Sequence, residues 1–210
     1  MTIPNYPKIQ SVFYRDENNN FKTFIMNKYS TEEIEYLRNN IWQGTEKIDG
    51  TNIKIHWTGS EVVFGGKGDN SSIPANLLKV LMDVFSNEMV SRTLGNTGNI
   101  TLYGEGFGNG IQKRGKEYIP DGVDIILFDI FANGCWFKRE KVDEIALQFG
   151  IKSVPIMFEG TIEESIKFVS GGFNSTIGTA KGEGLVLIPK TYLVSRMGNR
   201  IITKIKTIDF

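Results

Sequence analysis

"EKIDGTNIKI", Glu46 to Ile55, sets a lysine and an aspartate two positions apart, follows them with Gly50, and then alternates polar with apolar residues. A period of two is the mark of a strand with one buried face. The run extends to Trp57, and beyond Thr58, Gly59 and Ser60 a second apolar run, "EVVFGG" (61–66), reads as its hairpin partner. Taken alone, K-x-D-G has a plain reading: a tight turn in which Gly50 takes a positive φ, Asp49 caps backbone amides and Lys47 lies in solvent. The chemical reading is a lysine at a strand edge. Such an amine becomes nucleophilic when nearby cations or partial burial favour its neutral form, and it attacks a carbonyl or a phosphorus.

On either side the pattern predicts short helices among strands. "STEEIEYLRNN" (30–40) reads as a helix capped by Ser30 or Thr31, and "IPANLLKVLMDVF" (73–85) repeats Leu77, Leu78, Leu81, Val84 and Phe85 at helical spacing behind a proline. A helix over 138–149 carries Val142, Ile145, Ala146 and Phe149 on one stripe and stops at Gly150. Another over 162–169 starts with Thr161 and Glu164 as a capping box. "NITLYGEGFG" (99–108), "VDIILFDI" (123–130), "GLVLIP" (184–189), "YLVSRM" (192–197) and "RIITKIKTI" (200–208) read as strands. Helices interrupt these strands irregularly, which predicts an α+β fold of largely antiparallel sheets with flanking helices.

The 210 residues suffice for one domain with its own core, and 24 basic against 24 acidic residues argue against a surface that coats nucleic acid throughout. The balance is uneven along the chain. From Lys181 onward, Lys181, Lys190, Arg196, Arg200, Lys204 and Lys206 face only Glu183 and Asp209. One cysteine, Cys135, excludes an internal disulfide, and the single histidine, His56, has no partners for a histidine-based zinc site. No signal peptide and no apolar run of spanning length is found, so a soluble, cytoplasmic protein without membrane association is expected.

Lys204 and Lys206, two apart, fall on one face of "IITKIK" while Ile201 and Ile205 take the core side. Like charges side by side call for an anion, and phosphate is the natural one. Glu105 in "YGEGFG" and Glu183 in "KGEGLVLIP" each lie between glycines, where a ligand can approach closely. A magnesium ion on a triphosphate needs one or two such carboxylates. Phe128 is a core residue by default and a purine-stacking platform if its face is open. No P-loop and no dinucleotide-binding glycine fingerprint follows a strand.

In this order the motifs resemble the covalent nucleotidyltransferase superfamily of ligases and capping enzymes, and most closely the Rnl2-type RNA ligases. The resemblance covers roughly residues 41–206: "EKIDGTN", "YGEGFGNGIQK" (103–113), "DIILFDI" (124–130), "GEGLVLIP" (182–189) and "KIK" (204–206). It implies an adenylyltransferase domain spanning 1–210 with the nucleotide pocket between its sheets. Lys47 is then the residue that takes AMP from ATP, with Mg2+ or Mn2+ as the metal and Glu183 as its carboxylate. Glu183, Lys204 and Lys206 serve catalysis beside Lys47. Glu46, Ile48, Asn52, Lys67, Glu105 and Phe128 complete the nucleotide-binding set. Glu46 and Asn52 contact the base and the phosphate end, Glu105 the ribose, and Phe128 the adenine.

Two positions depart from the family pattern. Lys67 in "FGGKGDN" stands where an arginine is usual, and Ile188 takes the place of a lysine before Pro189, with Lys190 following. The C-terminal domain that such ligases commonly carry is separate or missing in this reading. The implied activity joins an RNA 5′-phosphate to a 3′-hydroxyl through a lysine-AMP intermediate. A DNA ligase, a guanylyltransferase of the capping kind and a non-catalytic RNA- or nucleotide-binding module remain alternatives.

Overall fold

A computed structural model describes residues 3–68 and 71–210; Asp69 and Asn70 of "FGGKGDN" lie outside the described residues. The chain forms two compact units, one of residues 1–7 and 49–154 and one of residues 8–48 and 155–210. We call them the hairpin unit and the lysine unit.

In the hairpin unit, strand Thr51–Trp57 pairs antiparallel with Val62–Gly65, as the alternation requires. Its other edge pairs with Ile100–Gly108, which pairs in turn with Val123–Ala132. Cys135–Trp136 and the parallel Lys152–Ser153 extend the sheet. Ile53, Ile55, Trp57, Leu102, Leu127 and Ile130 form one apolar face, covered by helices Ala75–Val84, Asn87–Leu94 and Arg139–Gln148 through Leu77, Leu81, Val90, Val142 and Ile145. Pro74 stands at the first helix's N-cap, and Ser86 caps the second by accepting from the Met89 amide. The opposite face carries Asn52, Lys54, Tyr103, Glu105 and Asp129, because partners Asn52–Glu105 and Lys54–Tyr103–Asp129 share a side of the sheet.

The lysine unit holds a sheet ordered Gln10–Ser11, Thr203–Lys206, Gly184–Pro189, Trp42–Lys47, Ile156–Gly160; only the first pair is parallel. Trp42, Leu185, Leu187, Ile201 and Ile205 pack with Ile34 of helix Glu32–Tyr36 and with Ile162 and Val169 of helix Ile162–Ser170. Thr31 caps the first of these helices, and the Thr161–Glu164 capping box opens the second. A small ribbon, Phe13–Arg15 with Phe24–Tyr29, adds Phe13 and Phe24 to the same core.

The architecture is the expected α+β of mainly antiparallel sheets. Three local expectations are corrected. Lys47 does not open the strand after Gly50; it closes a strand of its own, Trp42–Lys47, whose glycine and glutamate at inward positions hide the period of two. "YLVSRM" is not a strand: only Val194 makes a bridge, to Arg200, around a turn in which the Ser195 amide donates to the Asn199 carbonyl. Gly50 does not adopt a positive φ. It is glycine because a Cβ there would lie 2.2 Å from the Gly106 carbonyl oxygen. Among the described residues, no helix is long and apolar enough to cross a membrane.

Candidate functional site

Register builds the charged cluster of the lysine unit. Gly184 pairs with Lys47 on one side and with Lys206 on the other. A Cβ on Gly184 would meet the Ile205 carbonyl oxygen at 2.0 Å, so the strand can enter between its neighbours at this point only without a side chain. Glu183, one residue earlier, then reaches both lysines: Lys47 Nζ donates to Oε2 at 2.6 Å and Lys206 Nζ to Oε1 at 2.6 Å. The next cross-strand row, Thr45–Val186–Lys204, puts Lys204 on the same face, away from buried Ile205. Lys47, Lys204 and Lys206 thus share a face with Glu183, an arrangement suited to phosphate oxygens.

Glu46 points to the other side of its strand. It is buried, and its carboxylate accepts from the Thr176 amide at 3.1 Å and the Thr176 hydroxyl at 2.5 Å. This clamp fastens the loop in which the Ser175 amide donates to the Ala180 carbonyl and the Gly182 amide to the Phe173 carbonyl, and so fixes the approach to Glu183. Thr176 carries no motif, and nothing in its spacing announces the contact. Ile48 is buried beside the lysine.

In the hairpin unit the turn after the lysine is tied down twice. The Asp49 amide donates to the Tyr118 hydroxyl at 3.2 Å, and Gln112 donates from Nε2 to the Gly50 carbonyl at 2.9 Å. Gln112 holds a φ of 58°, rare for a residue with a side chain. It lies in the loop after Glu105, two residues before Arg114, whose hydrogen bond to Glu117 raises the guanidinium pKa above its usual value.

Asn52 and Glu105 face each other across adjacent strands. Among the described residues the side-chain Oδ1 of Asn52 is buried without a hydrogen-bond partner, an arrangement expected where a polar ligand supplies the missing donor. Phe128 is not a member of the apolar core. Between the pairs Tyr103–Asp129 and Gly104–Leu127 it is the extra residue of a β-bulge, which turns it out of the ladder and leaves its ring half-exposed. Arg139 Nη1 donates to its carbonyl at 3.2 Å and holds the bulge. Lys67 lies in an exposed bend after strand Val62–Gly65.

Among the described residues, no group of three or more His, Cys, Asp or Glu could cage a metal ion. Glu183 is a single hard oxygen donor, which fits a magnesium ion that arrives with most of its shell filled by phosphate oxygens and water. His56 is buried, and its Nδ1 lies 2.9 Å from the Thr101 hydroxyl oxygen.

Comparison with curated proteins finds no match. Among solved structures, the fold is similar to that of Naegleria gruberi RNA ligase: a mutant with AMP and Mn (TM-score 0.69, 19% identity), the protein with PPi (0.69, 18%) and a mutant with ATP and Mn (0.69, 17%). Each alignment covers 99% of this chain and 57% of the other, so the chain spans little more than half the length of that ligase. The RNA ligase family model matches residues 40–206, an interval that contains every motif from Glu46 to Lys206, and the chain belongs to the RNA ligase family.

Proposed function

We propose that this chain is the adenylyltransferase part of an ATP-dependent RNA ligase. One observation carries the reading: the strand register that brings Lys47, Glu183 and Lys206 into contact and aligns Lys204 beside them. The similar ligase has been captured with ATP, AMP, Mn and PPi, which supports the same nucleotide chemistry here.

In the first step the Lys47 amine attacks the α-phosphorus of ATP. An N–P bond forms, the P–O bond to the β-phosphate breaks, and pyrophosphate leaves. Glu183 Oε2 is the acceptor within reach of the proton that the ammonium must shed. Lys204 and Lys206 offset the charge that develops on the phosphate oxygens. Glu183 would hold a magnesium ion, which would supply charge neutralisation to the triphosphate. Asn52 and Glu105 hold polar atoms of the nucleotide, Glu105 accepting from a ribose hydroxyl. Phe128 stacks on the adenine, Ile48 lines the site, and Glu46, turned away from Lys47, holds the loop before Glu183 through Thr176. Lys67 offers a further cation to the phosphates.

In the later steps AMP passes to an RNA 5′-phosphate, and a 3′-hydroxyl displaces it to close the phosphodiester. Phosphate contacts along the basic C-terminal stretch would make RNA binding weaken as salt rises.

The test is the intact mass of the protein after incubation with Mg2+ and, separately, ATP, GTP or NAD, with Lys47→Ala as control. One AMP gained from ATP and absent in the control is expected. A GMP adduct would move the reading to capping, and AMP from NAD to another ligase branch. No adduct from any donor, with folded protein, would leave a binding module.

A further inference from the structure

Residues 3–6 cross the polar face of the hairpin unit's sheet and are tied to Lys54, Tyr103 and Asp129 there. The Tyr103 hydroxyl donates to the Pro4 carbonyl at 3.0 Å. Lys54, 1% exposed, donates from Nζ to Asn5 Oδ1 at 2.7 Å. The Tyr6 hydroxyl donates to Oδ2 of buried Asp129 at 2.6 Å, and Asp129 follows Phe128 in the chain. Burial pushes the Tyr103 pKa up to about 12, which keeps its hydroxyl a donor across the physiological range.

The Tyr6 ring stands edge-on to three others. Its centroid lies 5.1 Å from Tyr103, 5.1 Å from Phe128 and 5.3 Å from Trp136, with interplanar angles of 63°, 84° and 75°. This edge-to-face geometry is the one aromatic quadrupoles favour. A bulge residue is released from the ladder that orients its neighbours, so its side chain needs other supports. Arg139 holds the Phe128 backbone, and Tyr6 is the ring packed against the Phe128 ring.

We propose that Tyr6 is a positioning residue, which sets the Phe128 ring in the orientation that stacks on a purine. The inference rests on the reading of Phe128 as the stacking platform. Tyr6 itself is already engaged by Asp129 and three rings and acts through Phe128, without touching the nucleotide.

The experiment measures AMP attachment to the full chain against ATP concentration for Tyr6→Ala, Tyr6→Phe, Phe128→Ala and the double variant of Tyr6→Ala with Phe128→Ala. Removal of one aromatic support should raise the half-saturating ATP concentration about tenfold in Tyr6→Ala, and leave the maximal rate within about threefold. Tyr6→Phe keeps the ring and should restore most of the affinity. In the Phe128→Ala background, Tyr6→Ala should add less than about twofold, since there is no ring left to orient.

Independent, multiplying effects in the double variant would overturn the proposal, as would a folded Tyr6→Ala whose half-saturating ATP is unchanged. Wild-type ATP dependence in Phe128→Ala would overturn the platform reading first, and this proposal with it. If Tyr6→Ala melts below the assay temperature, Tyr6→Leu is read in its place. Loss of folding in both makes Tyr6 a structural residue and also overturns the assignment.

Discussion

Glu183 Oε2 lies 2.6 Å from Lys47 Nζ although 136 positions separate the two residues in the chain. The contact follows from Gly184 standing opposite Lys47 in the ladder. Because a charge-assisted hydrogen bond holds the amine in one orientation, Glu183→Gln should slow formation of the lysine-AMP adduct about 10- to 100-fold. A time course of intact mass at saturating ATP reads this directly. An unchanged rate would remove Glu183 from the chemistry.

Lys206 shares that carboxylate through its other oxygen. Lys206→Ala should lower the rate of AMP attachment by about tenfold or more, through the loss of one cation beside the phosphates. Lys167 pairs with Glu163 one turn away on an exposed helix face. Lys167→Ala is the matched control and should leave the rate unaltered, because an exposed pair of this kind contributes little.

Asn52 offers a test in which function and stability move apart. Its buried Oδ1 has no hydrogen-bond partner among the described residues, so removing it relieves a desolvation cost. Asn52→Ala should raise the ATP concentration needed for half-maximal adduct formation about tenfold while the melting temperature holds or rises. A fall in both would make the residue a structural one.

Gly184→Ala tests the register itself. With a φ of +157° and a Cβ 2.0 Å from the Ile205 carbonyl oxygen, the strand must shift or separate from Thr203–Lys206. The expected loss is about 3 kcal/mol, seen as a melting temperature about 6–12 °C lower. Adduct formation should fall with it, because Glu183 loses its place between the lysines.

His56 sets an acid limit. Burial holds its pKa below the ordinary 6.5. As pH falls through about 6.5 the unfolded chain takes up a proton before the folded one does, so folding is disfavoured by acid in that window. This contribution is complete above the unfolded value and is lost as pH falls through the folded one. Melting temperature followed from about pH 7.5 to about pH 5 should decline more steeply for the wild type than for His56→Gln. Parallel curves would show that another group is responsible.

Much of the fold could be read locally. The Thr51–Trp57 and Val62–Gly65 hairpin, the stripe of Val142, Ile145 and Ala146, and the Thr161–Glu164 capping box depend on neighbours a few positions apart, where periodicity and capping chemistry operate. "YLVSRM" shows the opposite. Its composition suits a strand, but beside it the described chain offers only the Val194–Arg200 bridge, and a strand without a partner has nowhere to place its backbone hydrogen bonds. The Trp42–Lys47 strand was hidden because Gly44 and Glu46 occupy inward positions. Gly44 is needed there since a Cβ would meet Leu185 and Leu187 at 2.9 Å, and Glu46 is accepted because Thr176 satisfies it.

By itself the sequence determined the order of the motifs, on which the resemblance to RNA ligases and the proposed lysine chemistry rest, and the placement of Lys204 and Lys206 on one face with Ile201 and Ile205 on the other. Those are properties of residue type and of a two-residue repeat. Only the tertiary structure decided that Glu183 bridges Lys47 and Lys206, that Glu46 turns away to clamp Thr176, that Phe128 sits in a bulge and that Tyr6 supports it. Each of these joins segments far apart in the chain. Such contacts are set by strand register and core packing, which balance the entropy of closing long loops against the burial and hydrogen bonding gained, and no local pattern encodes that balance.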